Sequence, residues 1–205
     1  MVCAGIVVAD HVTPPLERLP GAGELVMVER LVLNIGGCAA NAAVDLAKMG
    51  VRALVCGCVG EDWFGRFVVD ALEAEGIDTR GIRRTGKYDT SQTLIVNVRG
   101  EDRRFIHTFG ANRDFRAADL PLDRVLRARV LYVGGYFAMP GLVAEELAPI
   151  FRACQEAGVK TVLDVVVPGP GEYMSRLERL LAHTDVFLPN GDESRLITGE
   201  RPRDV

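Results

Sequence analysis

The sequence predicts an α/β fold built on a mostly parallel sheet flanked by helices, and three observations predict it. Five apolar runs lack the polar alternation of a half-exposed strand: "VCAGIVVA" (2–9), "ALVCGCV" (53–59), "VLYVGG" (130–135), "KTVLDVVV" (160–167) and "DVFLP" (185–189). Such runs read as strands covered on both faces. Helix-like segments over 38–49, 62–75 and 143–157 lie between them. Each stops at a glycine, Gly50, Gly76 or Gly158, where a left-handed residue would end a helix. Strands that alternate with helices in this way form parallel sheets.

The first strand is expected to run without a break and to end at Asp10. Ligands of open parallel sheets gather beyond the carboxyl ends of strands, which makes Asp10 a candidate site residue. Asp164, at the end of "KTVLD", is a candidate on the same ground. Two segments break the alternating rhythm. "GELVMVERLVLN" (23–34) is strand-like. "TSQTLIVNVRGEDRRFIHTFG" (90–110) reads as a hairpin, with Leu94, Val96 and Val98 alternating, a turn at 100–102, and Phe105, His107 and Phe109 on one face. Together they predict a small antiparallel sheet outside the main one. Trp63 is expected to pack at the start of its helix.

Length and composition fit one domain over 1–205. The chain has a formal net charge of -4 and is 48% hydrophobic. A chain of this size buries roughly 70% of the surface its unfolded form exposes, so a proper core is expected. Mild acidity argues against a nucleic-acid partner. No apolar run is long enough to cross a bilayer. The apolar start breaks at Asp10 and has no basic n-region, so it reads as a strand and not as a signal peptide. The five cysteines, Cys3, Cys38, Cys56, Cys58 and Cys154, are odd in number and sit among apolar neighbours. Reduced thiols in a cytoplasmic protein are expected. None of the three histidines has metal-ligand spacing, so no direct metal site is expected.

The stretch "NIGGCAANAAVDLAKMG" (34–50) leads two glycines into an alanine-rich helix. It lacks the lysine and Ser/Thr of a P-loop, and it is not the G-x-G-x-x-G of a dinucleotide site. No basic residue stands between Asn34 and Asp45 to neutralise a phosphate. A neutral guest is the functional reading, with backbone N–H groups of Gly36 and Gly37 and the Asn41 amide facing hydroxyls. Tight helix–sheet packing without a ligand is the alternative. Further on, "PNGDE" (189–193) has the spacing of a capping box, with Asn190 as N-cap and Glu193 three residues later.

The run from Gly36 to Ala43, followed by Gly50 and Gly60, resembles the N-terminal signature of the ribokinase-like (PfkB) carbohydrate kinases. "VGEDWFG" (59–65), "ADH" (9–11), "GAN" (110–112) and "PNGDE" (189–193) are similar to further landmarks of that family, in family order. The resemblance implies a Rossmann-like domain with a β-sheet lid, formed here by 23–34 and 90–110, that closes over a sugar. It implies ATP-dependent, Mg²⁺-assisted phosphorylation of a sugar or nucleoside hydroxyl. Asp10, Gly36, Gly37, Asn41 and Asn112 would contact the substrate. Asn190 and Glu193 would stand near the phosphates and Mg²⁺, the glutamate acting through the metal's water shell. Asp164 and His107 would line the cleft, and a homodimer would form through the lid.

The family's second signature, an Asp-Thr-x-Gly-Ala-Gly-Asp run that carries the catalytic aspartate, does not occur in this sequence. The chain is therefore expected to be the N-terminal two-thirds of a kinase, inactive by itself. A non-catalytic sugar-binding or regulatory module is the alternative. Val8 stands where ribokinase has asparagine, and Cys38-Ala39 where it has Lys-Gly. Both changes remove polar contacts, so the resemblance implies no particular sugar.

Overall fold

The computed structural model describes residues 1–200. In chain order, β1 (Val2–Gly5), β2 (Val8–Val12) and β3 (Val32–Gly36) precede α1 (Cys38–Lys48). Then come β4 (Leu54–Gly60), α2 (Trp63–Ala74), β5 (Asp78–Thr85), β6 (Gln92–Val96) and β7 (Arg104–Thr108). A short α3 (Leu122–Val125) leads to β8 (Val130–Gly134), α4 (Ala144–Glu156), β9 (Lys160–Asp164), α5 (Met174–Leu181), β10 (Val186–Leu188) and α6 (Gly191–Thr198).

Six strands form a parallel sheet in the order β10-β9-β8-β1-β4-β5. Successive side chains of its central strands enter opposite cores, as a doubly covered sheet demands. Val2 and Ala4 of β1 join Leu54, Cys56 and Cys58 beneath Leu147 and Phe151 of α4 and Leu177 and Leu180 of α5. Cys3, Val55 and Val59 face the other way, against Ala39, Ala40 and Ala43 of α1 and Val68 and Leu72 of α2. The small residues of α1 let that helix sit close to the sheet. All five cysteines are free, and burial pushes the Cys3 thiol up to about 11. Among the described residues no helix is long and apolar enough to cross a membrane.

The predicted alternation is present, with two corrections. The apolar run over 2–9 is not one strand. β1 belongs to the six-stranded sheet, whereas β2 belongs to a second sheet of four strands, ordered β3-β2-β6-β7. Asp10 therefore lies in the middle of a strand of the smaller sheet and not at the end of a core strand. That sheet is mixed, not antiparallel throughout: β2 pairs antiparallel with β3 and parallel with β6. Of the strand-like segment over 23–34, only the part from Val32 onward is strand; Leu25 and Met27 are exposed.

The break has a local cause. Gly5 has φ +141, and a Cβ there would lie 2.1 Å from the Gly134 carbonyl oxygen. Only glycine fits so close an approach. Ile6 N–H donates to the same oxygen at 3.2 Å. Val7 then crosses between the sheets, and Asn112 serves its backbone: Val7 N–H donates to Asn112 Oδ1 at 3.2 Å, and Asn112 Nδ2 donates to the Val7 carbonyl at 3.1 Å. Asn112 is completely buried.

A second clasp ties the root of the small sheet to α2. Asp62 caps α2, accepting from Gly65 N–H at 2.7 Å, from Thr90 N–H at 2.6 Å and from the Thr90 hydroxyl at 2.7 Å. Gly60 N–H donates to the same hydroxyl at 2.9 Å. A Cβ at Gly65 would fall 2.3 Å from the Gly60 carbonyl oxygen. The spacing of "GEDWFG" is thus a packing requirement. Trp63 departs from expectation: it is 79% exposed and carries the Arg66 guanidinium 4.9 Å over its ring.

Asn112→Ala leaves both Val7 backbone groups buried without partners. It should lower stability by about 2–4 kcal/mol in urea titrations, since each unsatisfied group costs roughly 1–3 kcal/mol. Asp62 supplies a pH test. Burial alone would raise its pKa, but the bonds from Thr90, Gly65 and Phe64 outweigh burial and hold it below the ordinary 3.8. A depressed carboxylate stabilises the fold above its unfolded pKa and loses that contribution as pH falls through the folded value. The stability gap between the protein and Asp62→Asn should be full near neutrality and should narrow below pH 3.8.

Candidate functional site

The glycine pair and Asp10 meet. β2 and β3 are neighbours, with Val8 opposite Gly36 and Asp10 opposite Asn34. The Asp10 carboxylate leans over Gly36 so closely that a Cβ there would lie 1.9 Å from Asp10 Oδ2. Gly37 has φ +91, and a Cβ on it would lie 2.4 Å from the Ile6 carbonyl oxygen. One glycine makes room for the carboxylate, and the other turns the chain from β3 into α1. No side chain caps the start of α1, and its first turn carries no acidic residue. Ala39 N–H is taken by the Ile6 carbonyl at 3.3 Å; the remaining N–H groups of that first turn and the Asp10 carboxylate border the same space, a pairing of donors and acceptors suited to a neutral hydroxylated guest.

Asp10 is partly buried. Burial raises its pKa, while the neighbouring Thr93 hydroxyl, His107 and His11 oppose the rise. The strand pairings set Asn34, Asp10, Thr93 and His107 in one row across the small sheet. His107 is held down by burial, with Asp10 acting in the opposite direction. His11 points to the other face, with its Nε2 3.0 Å from Gln92 Oε1 and its ring edge-on to Phe64 at 5.2 Å.

Asn41 lies in the first turns of α1 and is exposed, so its amide is free to meet a guest. Asp164 ends β9 near the start of α1. Its Oδ2 accepts from the Tyr132 hydroxyl at 3.0 Å and from Gly135 N–H at 3.3 Å. The Cys38 thiol lies close to Asp164, and its pKa is raised by burial first, then by Asp164 and the charge of Glu193. Asp164 therefore organises the strand ends next to the glycine pair.

Asn190 and Glu193 form the capping box that their spacing predicts. Glu193 N–H donates to Asn190 Oδ1 at 2.9 Å, and Asn190 N–H donates to Glu193 Oε2 at 2.8 Å. Asn112 is placed differently from the expectation of a substrate contact. Its amide is spent on Val7 and has no exposed surface. The sequence reading missed Asn34 and Thr93. The hairpin signal held part of the answer for Thr93, because a turn centred on Gly100 puts Thr93 opposite His107. The parallel pairing that brings Thr93 beside Asp10 joins strands far apart in the sequence and left no local signal.

Comparisons with known proteins agree with this geometry. The profile of the pfkB family carbohydrate kinase matches residues 1–205. A ribokinase of Haemophilus influenzae is 28% identical over 199 residues, which is 95% of this chain and 61% of that protein. The structure of Arabidopsis thaliana ribokinase complexed with ribose and ATP superposes with a TM-score of 0.74 at 25% identity, over 97% of this chain and 62% of that one. A fructokinase with bound ATP from Xylella fastidiosa gives a TM-score of 0.74 at 26% identity, over 91% and 59% of the two chains. The chain thus spans about three-fifths of the length of these relatives. With residues 1–205 all matched by the family profile and its fold shared with sugar kinases, the chain belongs to the pfkB family of carbohydrate kinases.

Proposed function

We propose that the protein transfers the γ-phosphoryl group of ATP to a hydroxyl of a sugar or nucleoside, and that this chain supplies the seat for the acceptor. The observation that carries the reading is the Asp10 carboxylate lying over Gly36 beside the uncapped start of α1. A carboxylate accepts two hydroxyl bonds at fixed geometry, backbone N–H groups donate, and the Asn41 amide does both. Such a seat orients one hydroxyl for in-line attack on phosphorus. The new P–O bond forms as the bond to ADP breaks, and the hydroxyl proton passes to a base. That base is not among these residues, because the sequence holds no Gly-Ala-Gly-Asp run.

ATP and Mg²⁺ enter by family membership, and the capping box is where this chain would meet them. Among the described residues no group of three or more His, Cys, Asp or Glu side chains could hold a metal ion. Mg²⁺ commonly keeps several waters and binds through substrate phosphates and one or two carboxylates. Glu193 fits that limited role: one carboxylate oxygen caps α6 and the other is left for the metal's water shell. When bound, Mg²⁺ would neutralise charge developing on the phosphates. The chain's own contribution is to hold the Glu193 side chain in place through Asn190.

Pairing through the lid belongs to the same reading. Leu25 and Met27 are each 82% exposed, and Ile106 is 68% exposed on the edge strand β7. Exposed apolar side chains beside an unpaired edge favour association with a second copy.

Calorimetric titration of the chain with ketoses, aldoses and nucleosides should find at least one that binds. Asp10→Asn should weaken that binding about 10- to 100-fold, because hydrogen bonds to a charged group contribute roughly 1.5–3 kcal/mol. A folded chain that binds none of them would contradict the reading. Gly36→Ala should displace the carboxylate and weaken the same ligand about tenfold or more while the rest of the fold persists; unchanged affinity would mean that Asp10 does not contact the guest.

A further inference from the structure

A cavity of about 530 Å³ opens at the root of the small sheet, on the face turned away from Asp10. Its size is within the range of small-molecule sites, roughly 300–1,000 Å³. Gln92 and Thr108 line it and pair directly between β6 and β7. They stand next to Thr93 and His107 in those strands, and successive strand residues point to opposite faces. His11, whose Nε2 lies 3.0 Å from Gln92 Oε1, is on their side of the sheet. The thickness of the small sheet therefore separates this cavity from the proposed acceptor seat. Its walls are the segment that enters the lid and the one that leaves it, closed by Glu61 and Asp62 just before α2. The frame is tied by backbone contacts. Ala111 N–H donates to the Asp89 carbonyl at 2.8 Å, and Glu61 N–H donates to the Thr85 carbonyl at 3.2 Å. A Cβ on Gly110 would lie 2.5 Å from the same Asp89 oxygen, so entry and exit touch there.

Four charged residues line this frame and leave their charges unmatched. Among the described residues Arg113 has no ion pair; its guanidinium lies 5.5 Å from the Phe109 ring. Lys87 Nζ is 3.5 Å from Asp114 Oδ1, and its side chain is 72% exposed. That carboxylate already accepts from Arg83 at 3.1 Å and from the Thr85 hydroxyl at 3.0 Å, so it makes little demand on the lysine. The Glu61 and Asp89 carboxylates have neither an ion pair nor a hydrogen bond among the described residues, and Glu61 Oε2 reaches to within 3.6 Å of where a Cβ on Gly86 would lie. The cations do not reach these anions across the cavity. Two cations and two anions held apart on one frame suit a guest that carries both charges. Inorganic phosphate would answer only the cations, and a diamine only the carboxylates.

We propose that this cavity is a binding site for a small zwitterion of the α-amino acid class, whose carboxylate meets Arg113 and Lys87 and whose ammonium group meets Glu61 and Asp89. The Gln92 amide and the Thr108 hydroxyl are left for the guest's side chain. Such a guest touches both segments through which the lid joins the core, so it braces the lid root from the face opposite Asp10. The proposal does not rest on the sugar-kinase reading, because none of these residues belongs to the acceptor seat.

The test is calorimetric titration of the chain with the common α-amino acids, each beside its N-acetyl and carboxamide derivatives and beside inorganic phosphate. At least one amino acid should bind, and each of its derivatives, which lacks one charge, should bind about tenfold or more weakly. Arg113 and Glu61 are exposed, so Arg113→Gln and Glu61→Gln should leave the fold intact. Arg113→Gln should weaken the amino acid about tenfold and narrow its advantage over the carboxamide; Glu61→Gln should do the same against the N-acetyl form. Amide hydrogen exchange over 86–89 and 109–113 should slow when the amino acid is bound. No binding by any of the amino acids, equal binding by the derivatives, or unchanged affinity in both variants would overturn the proposal. Phosphate binding without amino acid binding would make this an anion site and overturn it too, and unchanged exchange on binding would overturn the bracing of the lid. Sugars titrated into the same protein report on the acceptor seat separately, so failure of one site is distinguishable from failure of the other.

Discussion

The architecture depends on one crossing of the backbone. Between Gly5 and Val8 the chain leaves a fully covered parallel sheet and enters a smaller one. A strand that changes sheets leaves peptide groups without ladder partners, and buried peptide groups cannot go unpaired cheaply. Three features resolve the problem. Gly5 packs against Gly134 with no side chain between them, Ile6 borrows the Gly134 carbonyl, and the Asn112 amide replaces a missing neighbour strand for Val7. The crossing also brings Ile6 to Gly37, whose close approach to the Ile6 carbonyl fixes where α1 begins. The same few residues therefore set the join between the sheets and the position of the helix start.

The placement of Asp10 follows from that crossing. A carboxylate inside a strand and leaning on a neighbouring backbone is partly desolvated, which favours its neutral form. Thr93 and the two flanking histidines oppose that tendency. Burial still prevails, so the Asp10 pKa stays above its ordinary value. Asp164 presents a contrast. Its Oδ2 is engaged by Tyr132 and Gly135, and it holds strand ends together. Two carboxylates near the start of α1 thus have different duties, set by how many protein donors each already serves.

Much of this was legible in the sequence because it is written locally. Doubly covered strands, glycine-terminated helices, the capping box at Asn190 and the hairpin around Gly100 each depend on neighbours within a few residues. The family signature added the glycine pair and Asn41. The division of the apolar run over 2–9 was not legible, because an unbroken buried strand and two short strands in different sheets have the same pattern. Asn112 shows the same limit: a buried amide looks alike whether it serves a ligand or a peptide group more than a hundred residues away. β5 was also hidden, since its arginines and threonines give it no apolar run. Arg83 there bonds to Asp119 at 2.8 Å and to Asp114 at 3.1 Å, partners that only the folded chain supplies.

The central claim is that Asp10 faces a sugar and not merely the solvent beside a tight glycine turn. Carboxyl-detected ¹³C NMR on the aspartate-labelled chain tests it most directly. On addition of sugars and nucleosides, the Asp10 carboxyl signal should move with at least one of them, while that of Asp62, clasped by Thr90 and Gly65, stays in place. An Asp10 signal that no sugar or nucleoside moves, in a chain whose lid is folded, would contradict the account.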